Sequence, residues 1–269
     1  MISLFRNPVI PKSRKTVIPE NRYPVILKNK MKIVVIGTGR LATNLVPALL
    51  KAGHEALMVN SRTLEDLPSE ADAFILSVKD DALAQVVSRA VEGREDQVFF
   101  HTAGSMPLAI FEGKARHYGV FYPMQSFSKE RQVDFADIPL FLEGIDQQTM
   151  RVAHNLADSL SRQVYELTTA ERRYLHLAAV FACNFANHCY ALSAKVLEQH
   201  GLPFDVMLPL IDETARKAHV MHPRDGQTGP AIRWDENVLS AQKVLLASEP
   251  DMQQIYELMS NSIHKLAHD

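Results

Sequence analysis

The chain has 269 residues, 46% of them hydrophobic and 22% charged, an ordinary globular balance with length enough for two small domains. The formal net charge of −2 provides no global field for nucleic acid or an anionic membrane, and no apolar run reaches the roughly 18 residues that a membrane helix needs. The only two cysteines, Cys183 and Cys189, exclude a disulfide framework and read as small buried hydrophobes in a reducing cytoplasm.

Residues 1–30 differ in kind from the rest. Arg6, Lys12, Arg14, Lys15, Arg22, Lys28 and Lys30 face a single acid, Glu20, and Pro8, Pro11, Pro19 and Pro24 break any helix. There is no apolar core like that of a secretory signal. The segment reads as an unstructured extension, or as the product of an upstream start codon with Met31 as the true start.

From Lys32 strands and helices alternate. Ile33-Val34-Val35-Ile36 is a β-branched run, read as a buried strand. Leu41, Leu45, Ala48, Leu49 and Ala52 recur at helical spacing until Gly53, with Pro47 inside as a source of a kink. Further strands are expected at 56–59, 73–76, 97–100, 119–122 and 139–142, and helices at 80–91 and 146–161. Repeated strand–helix–strand units predict an α/β fold, a mostly parallel sheet with helices on both faces. Beyond Leu167 no strand is expected. Thr168-Thr169-Ala170-Glu171 fits a capping box, opening one long helix to His200. Its first half is apolar nearly all round, which predicts burial by several neighbours. Helices over 204–218, 236–248 and 251–267 complete an all-α region. The expected division is an extension over 1–30, a nucleotide-binding domain over 31–167 and a helical substrate or dimerisation domain over 168–269.

The string from Ile33 to Ala42 is strand, tight turn and helix, and contains G-x-G-x-x-A. Gly37 permits the sharp turn, Gly39 lets the backbone approach a pyrophosphate, and Ala42 lets helix and strand pack closely. The free N–H groups of the helix start, reached through Thr38, Arg40 and Leu41, then meet the phosphates. The second strand ends Asn60-Ser61-Arg62-Thr63. NAD-specific proteins place an acid about 20 residues past the loop for the ribose hydroxyl. None stands here, and Arg62 is suited to a 2′-phosphate instead, so NADP is favoured. Ligands sit at the carboxyl ends of parallel strands. Ser77, Val78 and Lys79 after the third strand, and His101, Thr102, Ala103 and Gly104 after the fourth, are therefore expected at the cofactor. His101 reads equally as a proton donor or as a hydrogen-bonded strand-end histidine.

Six strings carry a family resemblance: GTGRLATNL from Gly37, LSVKDDAL from Leu76, FHTAGSMPL from Phe100, FYPMQSF from Phe121, HLAAVFACNFANH from His176 and TGPAIRWD from Thr228. Residues 32–269 resemble a family in which a Rossmann-like domain precedes a helical domain of unknown function. That family is similar to pyrroline-5-carboxylate reductases and to NADP oxidoreductases that reduce a deazaflavin coenzyme. Its helical domain resembles the C-terminal domain of 6-phosphogluconate dehydrogenases. The resemblance implies NADP binding and a homodimer built through the helical domain. In relatives a histidine often precedes the Pro-Met/Leu-Gln element; Tyr122 stands there in this chain. 6-Phosphogluconate-type enzymes carry a lysine four residues before an asparagine on the corresponding helix, where this chain has Val180 before Asn184.

A hydride transfer requires orientation, a proton donor or acceptor and a hold on the substrate. His176, Asn184 and His188, spaced by eight and four, share one broad face of a regular helix. Asn184 is the candidate for orienting a substrate and His176 the candidate acid/base. Each reads as well as a polar group bonded within the core. The loop from His219 to Asp235 holds Arg233, either a clamp for a substrate carboxylate or phosphate or the partner of Asp235 in a structural ion pair. His219 and His222 lack a third ligand at suitable spacing, so no metal is expected. The reading is a cytoplasmic NADP(H)-dependent oxidoreductase acting on a small carbonyl, imine or alcohol at an interdomain cleft. The alternative is a non-catalytic NADP-binding sensor or scaffold.

Overall fold

The computed structural model describes residues 30–64 and 66–268. The expectation for the basic extension, Lys30 apart, lies outside the described residues. The described chain forms two compact units, one running to Val180 and the other from Phe181.

The first unit is built on β1 (Lys32–Ile36), β2 (Glu55–Val59), β3 (Ala73–Leu76), β4 (Val98–His101), β5 (His117–Pro123), β6 (Leu140–Gly144) and β7 (Val164–Glu166). They form one sheet in the order β2-β1-β3-β4-β5-β6-β7. Every pairing is parallel except β5 with β6, where Gly119 opposes Gly144 and Pro123 opposes Leu140. The third strand and the helix over 80–91 fall as expected. β7 was not expected: at three residues it is too short to show a period.

Alternation along β1 sends its side chains to two separate layers. Ile33 and Val35 pack with Ala42, Leu45 and Leu49 of α1 (Arg40–Lys51) and with Ala153, Leu156 and Ala157 of α3 (Gln147–Leu160). Val34 and Ile36 pack with Leu83, Val87 and Ala90 of α2 (Asp80–Val91). A central strand apolar on both faces needs helices on both faces, and the connections supply them. Pro47 sits inside α1 without ending it.

α4 (Thr169–Ala179) opens with the expected box: the Glu171 N–H donates to the Thr168 side chain and the Glu171 carboxylate accepts from the Thr168 N–H. The long helix is not uniform, however. A π-helical segment, Val180–Phe185, separates α4 from α5 (Ala186–Gln199). The second unit continues with α6 (Leu208–Val220), α7 (Pro230–Arg233), α8 (Glu236–Leu245) and α9 (Pro250–His268). The expected all-round burial of the first half of the long helix is corrected: Leu177, Phe181 and Phe185 are exposed in the single chain, as is Cys183, while Cys189 is half-buried. Apolar composition implied neighbours, and among the described residues none covers those positions. No helix among the described residues is long and apolar enough to cross a membrane.

The start of α4 is fixed by a buried charge. Arg172 is 1% exposed and pairs with the Glu143 carboxylate of β6. Its guanidinium also donates to the Met106 carbonyl in the loop after β4. Thr169 donates to the same carboxylate through its N–H (2.7 Å) and its hydroxyl. A buried ion pair of this kind is costly to halve, because the remaining charge is stranded in the interior. Arg172→Met alone is expected to cost about 3–5 kcal/mol in urea denaturation. Adding Glu143→Leu should recover most of it; a single variant that unfolds like the wild type would show the pair to be idle.

Candidate functional site

The glycine turn has the geometry its residues require. Gly37 has φ +130°, and a Cβ there would lie 2.1 Å from the Ser77 carbonyl oxygen. Its N–H donates to the Val59 carbonyl at 2.8 Å, so the turn leaves β1 while still joined to β2. A Cβ built on Gly39 would meet nothing within 4 Å, so the space above the turn is open. Gly39 is the N-cap of α1 and supplies no side chain to the first-turn N–H groups. Those donors face the opening, with the positive end of the helix dipole behind them.

A cavity of about 1000 Å³ lies there. Of the expected cofactor residues, Gly37, Thr38, Gly39, Arg40, Leu41, Asn60, Ser61, Arg62, Ser77, Val78, Lys79 and Thr102 line it. The lining adds Gln85 and Arg89 of α2 and Lys129, none of them expected. Arg40, Arg62, Lys79, Arg89 and Lys129 are thus five cationic side chains, and no carboxylate is among the lining residues. Arg89 also builds the rim. Its guanidinium donates to the carbonyls of Arg62 (3.1 Å) and Thr63 (3.0 Å), while Asn60 Oδ1 accepts the Arg62 N–H at 3.0 Å. The loop that presents Arg62 is held from both sides. Arg89 lies 27 residues from Arg62, and only its place in the last turn of α2 pointed to it.

Thr63, His101, Ala103 and Gly104 do not line this cavity. Thr63 serves through its carbonyl, and the Ala103 N–H donates to His101 Nδ1 at 3.1 Å. For His101 the structure favours the second of its two readings, a strand-end histidine turned into the core. It is fully buried and its ring stacks on Phe111 at 5.9 Å. Burial, reinforced by the nearby Arg172 charge, pushes its pKa down to about 3. The ring is held neutral and sealed in the core, away from the cavity lining.

A second cluster forms where the loop after β4 meets α4. Tyr122 Oη lies 3.2 Å from His176 Nδ1, and the two rings meet edge to face. Gly104 is buried beneath them: a Cβ there would come within 2.5 Å of His176 Nδ1 and 3.0 Å of Tyr122 Cζ. The expected role of Gly104, close backbone approach, is met by these side chains. Burial raises the Tyr122 phenol above its usual range, and the Arg172 charge opposes this. The register explains the encounter. Glu143 pairs across from Val120, and Tyr122 lies two residues further along β5, about 6.6 Å. His176 lies four residues past Arg172, about 6 Å of helix. α4 therefore climbs beside β5 at matching rise. In the sequence, Tyr122 is marked only by standing in the histidine position of relatives.

Asn184 and Arg233 belong to the second unit and are exposed there, as is His188. Asn184 lies in the π segment, so the spacing-by-four argument for a shared face does not carry through it. Arg233 ends α7. Asp235 caps α8, accepting from the Val238 N–H, and no ion pair joins it to Arg233 among the described residues.

Residues 138–263 match the family model described as a domain of unknown function (DUF2520), and residues 32–100 match that described as NADP oxidoreductase coenzyme F420-dependent. No curated protein matches the chain. Among solved structures, a Bacteroides fragilis protein described as an NADP oxidoreductase is 46% identical, with a TM-score of 0.84 over 88% of this chain and 99% of its own. A Thermotoga maritima protein is 22% identical, with a TM-score of 0.65 over 88% and 98%. A 1-pyrroline-5-carboxylate reductase from Streptococcus pyogenes is 15% identical, with a TM-score of 0.58 over 88% and 99%, and shares the fold.

The His101 environment has a consequence for stability. The unfolded ring titrates near 6.5 and the folded one near 3, so folding favours the neutral form. The contribution is complete above pH 6.5 and falls away between pH 6.5 and 3. Lowering the pH from 7 to 5 should remove about 2 kcal/mol through this residue. His101→Phe should flatten that slope in pH-dependent thermal melts; an unchanged slope would clear His101 of the effect.

Proposed function

The chain belongs to the NADP oxidoreductase family represented by the Bacteroides fragilis structure, and from that premise we propose that it is an NADP(H)-dependent oxidoreductase acting on a small carbonyl, imine or alcohol. One observation carries the reading: among the described residues, five cations and no acid line the cavity above an uncapped helix start. A dinucleotide with a 2′-phosphate brings the negative charge such a cavity needs. The open space at Gly39 fits a pyrophosphate, and Arg62, its loop braced by Arg89, fits the 2′-phosphate. Thr38, Arg40 and Leu41 would offer backbone N–H groups, with Asn60, Ser61, Ser77, Val78, Lys79 and Thr102 around the nucleoside portions. When bound, the cofactor supplies or accepts a hydride.

The chain supplies the proton and the hold on the substrate. We assign acid/base work to His176, whose hydrogen bond to Tyr122 and seat on Gly104 fix its ring. Asn184 is proposed to orient the substrate and Arg233 to clamp an anionic group on it. The exposed apolar side chains of the second unit, among them Phe181, Leu210, Val220, Val244 and Leu245, support a homodimer formed through the helical region. The lack of a lysine four residues before Asn184 favours one rival, an NADP-binding sensor without turnover.

Two outcomes are expected. Arg62→Ala should weaken NADPH by about 10-fold or more while leaving NADH within about twofold, measured by fluorescence titration; equal losses would remove Arg62 from the 2′-phosphate. With NADPH and a panel of small keto acids and cyclic imines, the wild type should turn over at least one substrate. His176→Asn should cut kcat by about 100-fold with NADPH affinity unchanged. Tight NADPH binding with no turnover across the panel would favour the sensor.

A further inference from the structure

The segment between β5 and β6 begins in the FYPMQSF motif and has entered the reading so far only through Lys129. It is tied down along its length. The Met124 N–H donates to the Pro139 carbonyl at 2.9 Å, and Phe127 stacks on Phe135 with centroids 5.7 Å apart. The third tie is Asn44, on the inner face of α1 and 4% exposed. Its amide nitrogen donates to the carbonyls of Arg40 and Ser128, each at 2.8 Å, and its oxygen accepts the Val133 N–H at 3.2 Å. An amide buried among apolar residues is tolerated only when so satisfied. α1 has no need of it, since the Arg40 carbonyl is otherwise an ordinary helix acceptor. What Asn44 adds is a hold on both ends of the turn from Ser128 to Val133. Lys129 lies in that turn and lines the cavity together with Gly39 and Arg40.

We propose that Asn44 is a positioning residue for the cofactor, hanging residues 124–134 on α1 as a strap that brings the Lys129 ammonium to the dinucleotide pyrophosphate. This rests on the cofactor reading above. The location follows from a shared nitrogen. Ser128 O and Arg40 O are each one hydrogen bond from Asn44 Nδ2, so Lys129 begins beside the first turn of α1, where the free N–H groups are. Arg62 and Arg89 stand instead at the end of β2. Lys129 therefore acts on the part that NADPH and NADH have in common. It sets affinity, and Arg62 sets the choice between them.

The test is direct binding of NADPH and NADH to the full chain, by fluorescence titration at two salt concentrations. Lys129→Ala, a change at an exposed position, should weaken both cofactors by a similar factor, about 5–10-fold, and lower the salt dependence. Lys129→Arg should keep most of the affinity. Asn44→Ala should weaken both cofactors to the same extent in the wild-type background and by less than about twofold once Lys129 is alanine. An effect of Asn44→Ala that persists undiminished without Lys129 would reduce Asn44 to a packing residue and overturn the proposal. So would a silent Lys129→Ala, or one that shifts the NADPH:NADH ratio as Arg62→Ala does, while the wild type still binds NADPH. A wild type that binds neither cofactor would overturn the cofactor reading, and the strap with it. Should Asn44→Ala fail to fold, the two Lys129 variants decide the matter.

Discussion

The Arg172–Glu143 pair is the constraint on which the arrangement around Tyr122 and His176 depends. Removing a guanidinium from water is expensive, and the fold accepts that cost at a point where three segments meet: β6, the loop after β4 and the start of α4. A hydrophobic cluster would hold these segments together but would tolerate sliding. A charge with fixed hydrogen-bond partners does not. With Arg172 set, the helical rise delivers His176 to Tyr122 and Gly104 one turn later. The same charge reaches His101 and Tyr122, disfavouring protonation of one and easing ionisation of the other.

The cofactor cavity works by a different principle. Its cations repel one another, and nothing acidic among the lining residues relieves them. Backbone carbonyls do part of that work, as where Arg89 grips the Arg62–Thr63 corner. A loop braced in this way has little freedom left to lose when an anion binds. The strap and the corner reach it from opposite sides: one from α1 through Asn44, the other from α2 through Arg89.

What could be read in the sequence was what is local. The unbroken β-branched run 33–36 marked a buried strand, and the G-x-G-x-x-A string specified a turn within six residues. Thr168 and Glu171 announced a helix start because a capping box closes within four residues. What escaped depends on distant partners. Arg89 and Lys129 carry no local mark of a ligand, and Asn44 looks like any polar residue in a helix until its bonds to Ser128 and Val133 are seen. The π segment is invisible to a 3.6-residue period. His101 stayed divided between two readings for the same reason: strand-end position pointed to the ligand edge, but its ring is buried against Phe111.

The register carries one acid to the height of the ligand edge. Ile36, Leu76, His101, Val120 and Glu143 pair in turn across β1, β3, β4, β5 and β6, so Glu143 stands level with the carboxyl ends of β1, β3 and β4. Ligands of parallel sheets sit beyond those ends. An unanswered carboxylate at that height would oppose an approaching phosphate. Arg172 answers it with a buried ion pair. The pair that fixes the start of α4 thus also neutralises a charge that the sheet would otherwise present toward its anion-binding edge.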